Sequence, residues 1–189
     1  AVTEEIFGGE NPALIERIVL STTISTNAIV QRKTSRVGMI LASGPGMSPA
    51  MLSIGQDSHF ISGYVNHRGI EITGTDRGEV NHIADIFEKE HIEHLGIVGK
   101  FSTRNPALET GIGDILNGRF AHLSFGHLMS GNLNFPRRIA TTYLNAAIWN
   151  TYNAFVTNVT DYVTRMHVTA PVYILKADGG TSRISQSAG

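Results

Sequence analysis

Residues 37–42 read Val37-Gly38-Met39-Ile40-Leu41-Ala42, and Ser43-Gly44-Pro45-Gly46 follows at once. Six residues without a polar side chain, stopped by loop chemistry, make a strand buried on both faces, since a strand with one wet face alternates. Strands of that kind need helices above and below them. The sequence around the run supplies such helices. Thr22 to Arg32 reads as a turn and a helix with Ile24, Ala28 and Ile29 on one side. Asp76 followed by Glu79 resembles a capping box, and the helix it opens places Val80, Ile83 and Phe87 on one face. Leu95–Phe101 is a second apolar strand. Asn105-Pro106 starts another helix, with Leu108, Ile112, Ile115 and Leu116 at helical spacing and Gly118 as its stop.

Outward from this centre the alternation continues. Ile18–Leu20, His122–Phe125 and Val172–Leu175 are short strands, and His59–Ile72 reads as a strand pair turning at Arg68-Gly69. Asn11-Pro12 opens a short helix to about Arg17. Pro136 to Met166 is the longest helical pattern, with Tyr152, Phe155, Val159, Tyr162 and Met166 as its clearest stripe. The expected fold class is therefore α/β, a mixed sheet flanked by helices. We expect a single α/β unit over 1–189, with one candidate break near 126–136, a stretch rich in Gly and Asn.

Composition narrows the function classes. The 189 residues are 41% hydrophobic and 16% charged, against an ordinary charged share of about 25%. Fifteen basic and sixteen acidic residues give a net charge of −1, so no basic excess meets a phosphate backbone and nucleic acid is not an expected partner. No apolar stretch reaches the ~18 residues of a membrane span. Residues 139–160 carry no charge but hold four Asn and five Thr, costly in lipid, so they read as a buried soluble helix. Cysteine is absent, which excludes thiolate metal sites and fits a reducing, cytoplasmic setting. No P-loop, GxGxxG, GxSxG or HExxH motif occurs.

Four constellations carry chemistry. Ser21-Thr22-Thr23-Ile24-Ser25-Thr26-Asn27 places five hydroxyls and an amide where a strand feeds a helix. One hydroxyl suffices for a helix cap, and the others suit a carbonyl, carboxylate or phosphate oxygen; both readings stand. Lys176-Ala177-Asp178-Gly179-Gly180-Thr181 follows a strand. It is either a tight turn or a loop whose glycines admit a ligand and whose Asp178 serves as base or magnesium partner. Arg138, Thr141, Thr142 and Asn145 share one side of a helix. This polar stripe on an uncharged helix reads as a pocket or interface wall, with a buried network as the alternative. His91-x-x-His94 lies at a helix end, where dipole interaction accounts for it better than a metal does, so no metal site is expected from it.

The order STTISTNAIVQRK, RVGMILASG, FSTRNPALE, RRIATTYLNAAI, VYILKADGGT resembles the hydantoinase/oxoprolinase family, A-type subunit, from about residue 18 to the end. That resemblance implies an actin/sugar-kinase-like partial domain. It also implies ATP-dependent opening of a cyclic amide such as 5-oxoproline or a hydantoin, by phosphorylation of the ring carbonyl. ATP and Mg²⁺ are the implied cofactors, a small cyclic amide the substrate, and a B-type subunit the partner. On the matching positions, Thr23 and Asp178 are the catalytic candidates. Thr22, Thr26, Asn27, Arg138, Thr142 and Asn145 are the substrate-binding ones, and Gly179, Gly180 and Thr181 would meet the cofactor. The Asn105-Pro106…Glu109 segment also matches. Two departures stand out. The family's glycine-rich phosphate loop on a first strand has no counterpart here, and Leu20-Ser21 replaces a His-Gly-like pair. We therefore expect an internal piece of a larger enzyme, inactive alone. Readings from other classes are a non-catalytic docking module of the same fold and a superfamily kinase.

Overall fold

The computed structural model describes residues 14–129, 131, 133–176 and 179–187. The chain divides into two compact units, one formed by residues 1–33 with 150–189 and the other by residues 34–149. The 126–136 stretch lies inside the second of these. Of the helix expected from Asn11 to about Arg17, residues 11–13 lie outside the described residues, and residues 15–17 are not helical.

The unit of residues 34–149 is built on the apolar run that opens the analysis. Strand β2 (Val37–Ala42) pairs in parallel with β6 (His94–Gly99) from Val37↔His94 to Ala42↔Gly99, and all twelve residues are buried. On the outer sides lie β3 (Asp57–Phe60) and β7 (His122–Phe125), both parallel, giving the order β3-β2-β6-β7. Side chains of a strand alternate between faces, and both faces are covered here. Ile40, Leu95 and Ile97 pack with Val80, Ile83 and Phe87 of α3 (Arg77–Lys89) and Leu108, Ile112 and Leu116 of α4 (Ala107–Leu116). Met39, Leu41 and Val98 pack on the opposite face with Leu52 of α2 (Pro49–Leu52) and with Phe135, Ile139, Ala146 and Ala147 of α6 (Phe135–Arg165). Each fully buried aliphatic or aromatic side chain of this kind contributes about 1.5–3 kcal/mol. The sheet is closely covered: a Cβ added at Gly96 would lie 2.5 Å from the Met39 sulfur.

Local signals behave as the chemistry requires, with two differences. Asp76 caps α3, its Oδ1 accepting from Gly78 N at 2.7 Å and Glu79 N at 3.1 Å. The Glu79 carboxylate instead accepts from the Ser62 backbone N–H and hydroxyl, so it ties a neighbouring loop to the helix start. The 59–72 segment is not one strand pair. Its first part, β3, joins the parallel sheet, and only β4 (Tyr64–Val65) and β5 (Glu71–Thr73) form an antiparallel hairpin. The turn sits where expected, with Gly69 at φ +82° and Asn66 Oδ1 accepting from Arg68 N and Ile70 N.

In the other unit, β1 (Ile18–Leu20) runs parallel to β8 (Val172–Leu175), which pairs antiparallel with β9 (Thr181–Arg183). Helix α1 (Ile24–Val30) follows β1. Val156 of α6, Ile174 and Ile184 form the core, with Tyr152, Phe155 and Val159 of the predicted stripe packed against them. No described helix is long and apolar enough to cross a membrane.

Candidate functional site

The hydroxyl-rich turn between β1 and α1 lines a hollow of about 390 Å³, with Thr22, Thr23, Asn27, Gln31, Lys33 and Thr151 in its wall. Thr22 Oγ1 accepts from Ile24 N at 3.2 Å and so serves the helix start. Thr23 makes no capping bond through its side chain. Its Oγ1 accepts from Asn27 Nδ2 at 3.3 Å, one helical turn on, and both side chains are exposed. One hydroxyl is therefore spent on the cap, and a hydroxyl–amide pair faces the hollow beside the Lys33 side chain. Thr26 is exposed on the helix but is not part of this wall. A larger hollow of about 640 Å³ lies alongside, mostly apolar, between β1 and the Phe155–Arg165 part of α6; Thr22 touches both.

Asp178 lies outside the described residues. Around it, Lys176 N donates to Gly180 O at 2.7 Å and Gly179 N to Lys176 O at 3.0 Å, closing a tight turn between β8 and β9. Gly179 has φ +83°, and a Cβ there would meet nothing within 4 Å, so the turn stands open. Thr181 begins β9 and is exposed.

The polar stripe of α6 is split: Arg138 and Thr142 lie in the interior of the residue 34–149 unit, Asn145 is half-buried and Thr141 is exposed. Arg138 and Thr142 are fully buried. One guanidinium nitrogen of Arg138 donates to Gly99 O at 2.6 Å and Lys100 O at 2.7 Å, and Asn145 Nδ2 donates to Ser124 Oγ at 3.0 Å. Burial pulls the Arg138 guanidinium below its usual value, and the charge of Glu109 pulls it back. Arg138 thus pins the carboxyl end of β6 and Asn145 joins α6 to β7, while the buried Thr142 hydroxyl has no hydrogen-bond partner among the described residues.

Glu109, named in the sequence only as part of the matching Asn105-Pro106…Glu109 segment, has a role that its own position does not announce. Glu109, on α4, is wholly buried. Its Oε1 accepts from Gly99 N at 2.7 Å; its Oε2 accepts from His127 N at 2.9 Å and lies 2.5 Å from His127 Nδ1. The signal was a carboxylate between Leu108 and Ile112 on an apolar helix face, which needs a buried partner to be stable there. A second buried cluster joins His94 and His122 to Trp149, whose ring stacks on His122 at 4.8 Å between centroids. Burial holds the imidazole of His122 down at about 4, with His94 adding to the effect, and lowers His94 likewise. Among the described residues no group of three or more His, Asp or Glu suits a metal ion.

Comparison with known proteins adds the following. The chain is similar in fold to the ATP-dependent caprolactamase from Pseudomonas jessenii, at 18% identity and a TM-score of 0.76, over 95% of this chain. It is also similar to acetone carboxylase in its nucleotide-free form, described under ATP-dependent acetone carboxylation, at 14% identity and a TM-score of 0.80, over 96% of this chain. In both cases it spans 30% of the other chain's length. No curated protein sequence matches it significantly. The description of the hydantoinase/oxoprolinase N-terminal region matches residues 3–120. Those residues are well over half of the sequence, and the chain belongs to the hydantoinase/oxoprolinase family.

Proposed function

We propose that this chain is part of an ATP-dependent enzyme that opens a cyclic amide of the 5-oxoproline or hydantoin type. The observation that carries the reading is the Thr23–Asn27 pair, left over from helix capping and facing a hollow with Lys33 in its wall. A hydroxyl and a carboxamide together donate and accept, which is what the C=O and N–H of a ring amide require. The lysine ammonium would offset negative charge on the carbonyl oxygen as it develops. Family membership supports the reaction class, and one similar protein is named an ATP-dependent caprolactamase; a lactam is a cyclic amide.

ATP would supply a phosphoryl group to the ring carbonyl oxygen. The open space beside Gly179 suits close approach of a phosphate, since glycine offers backbone without a side chain in the way, and Gly180 and Thr181 follow it in the chain. No group of three or more ligating side chains gathers among the described residues, and no step is routed through Mg²⁺. Within this chain, Thr23 holds the substrate at the β1–α1 turn and Asn27 fixes its orientation.

Product analysis tests the reading. The full-length protein, incubated with ATP and 5-oxoproline or a hydantoin, should yield ADP, inorganic phosphate and the ring-opened acid in equal amounts. A stable phosphorylated acceptor would mean a kinase instead. Absence of turnover on every cyclic amide, with Thr23→Ala and Asn27→Ala altering assembly only, would leave a docking module.

A further inference from the structure

The four-stranded sheet of the residue 34–149 unit has a place where its connections part. The chain leaving β2 crosses by α2 on one face to β3, and the chain leaving β6 crosses by α4 on the other face to β7. In open parallel sheets the crevice at the carboxyl ends of two such strands is where ligands bind. Glu109 and His127 sit at this end: the carboxylate is bonded to Gly99, the last residue of β6, and His127 is the second residue beyond β7.

We propose that His127 is a proton-accepting residue of this crevice, held in its working tautomer by Glu109. Glu109 has spent its acceptors on Gly99 N, His127 N and His127 Nδ1. With the Glu109 Oε2 at 2.5 Å accepting a hydrogen bond from Nδ1–H, the Nε2 lone pair is left bare. Nε2 makes no hydrogen bond among the described residues and is not among the buried polar atoms lacking a partner, and the side chain keeps 15% of its exposure. The imidazole is thus anchored on one nitrogen and open on the other.

The surroundings hold this geometry from three directions. Arg138 grips the Gly99 and Lys100 carbonyls from the opposite face of the sheet. Gly126 lets the chain pass over the carboxylate, since a Cβ there would come 2.6 Å from Val98 Cγ1 and 3.1 Å from Glu109 Oε1. In the loop after β6, the buried hydroxyls of Ser102 and Thr103 have no hydrogen-bond partner among the described residues. A merely structural pair would satisfy both ring nitrogens inside the protein; here only Nδ1 is engaged, and the side chain keeps part of its exposure.

The chemistry is the removal of a proton from water as its oxygen attacks an electrophilic carbonyl-type carbon. The O–C bond forms as the water O–H bond breaks and the carbon's π pair moves onto its heteroatom; the proton passes to Nε2, and the Nδ1 proton stays put while Glu109 stabilises the imidazolium. The crevice lies within the residue 34–149 unit and the carbon is one presented there; that the full-length protein works on a cyclic amide rests on the function proposed above. The role of Glu109 is positioning.

The test has two arms. In the chain itself, diethyl pyrocarbonate is the probe, an electrophilic carbonyl that acylates a bare imidazole nitrogen. Peptide mapping should find His127 modified roughly tenfold faster in the wild type than in Glu109→Gln, and ¹⁵N-histidine NMR should show the proton on Nδ1. Equal labelling, or a proton on Nε2, overturns the proposal whatever the enzyme's substrate is. In the full-length protein, His127→Asn keeps a donor at the Nδ1 position while removing the base. It should lower kcat about 10²–10⁴-fold with KM little changed, and wild-type turnover by this variant overturns the proposal. If the wild type opens no cyclic amide, the reading of the function fails, and the first arm still decides this one.

Discussion

Replacing Glu109 by alanine removes the one negative charge at the centre of the residue 34–149 unit. Gly99 N loses its 2.7 Å acceptor, His127 loses two bonds, and the buried Arg138 guanidinium loses the carboxylate that offsets its desolvation. Removing one partner of a buried charge pair costs about 3–5 kcal/mol, because the other charge is left uncompensated. His127 reaches water, so its freed donors cost little, and the estimate stays in that range. For a chain of this length it lowers the midpoint of unfolding by about 6–20 °C. Glu109→Gln keeps the shape and one acceptor for Gly99, and should cost roughly 1–3 kcal/mol. The assay is built into the molecule. Trp149 is the only tryptophan, and it packs against His94 and His122 of the same unit, so its fluorescence during thermal or urea unfolding reports that unit separately. A Glu109→Ala protein unfolding within about 1 kcal/mol of the wild type would refute the claim that this carboxylate holds the end of β6.

Acid should weaken the same unit for a different reason. His122 titrates at about 4 in the folded chain against an ordinary 6.5, so the unfolded chain binds more protons between those values. Stability is then complete above about pH 6.5 and falls by up to about 3 kcal/mol as pH drops toward 4; His122→Phe should flatten that slope in Trp149-monitored urea titrations, and an unchanged slope would contradict it. Gly96→Ala drives a methyl into the Met39 sulfur and should cost about 1–3 kcal/mol, read from the same fluorescence. Asp76→Ala removes the two-bond cap of α3 and should cost about 1 kcal/mol by urea unfolding.

The elements whose chemistry is local were legible in advance. The uniform apolar run of β2, the Asp76 cap, the asparagine-and-proline start of α4 and the period of α6 each follow from propensity and patterning, and each forms as expected. What could not be read depends on which distant segments meet. The 57–60 strand carries Asp, Ser and His, so nothing in its own pattern announces that it adds to the parallel sheet beside β2. The Arg138 stripe looked like a pocket wall because sequence spacing shows a shared helix face and not what covers it; the cover is the end of β6. Glu109 and His127 are eighteen residues apart on separate elements, and only the β6–β7 pairing brings them together. The β1–α1 hydroxyls were readable as a cluster, and the division between the one that caps and the pair that faces the hollow was not.

The central claim is that the Thr23–Asn27 pair grips a ring amide, and amide-dependent release of ADP by the full-length Asn27→Ala protein tests it most directly. Asn27 is exposed, so its truncation should change stability by no more than about 0.5 kcal/mol. The account predicts that this variant folds normally and loses the amide-stimulated turnover of the wild type by about 10²-fold or more. Turnover at the wild-type rate, with wild-type dependence on the amide, would contradict it.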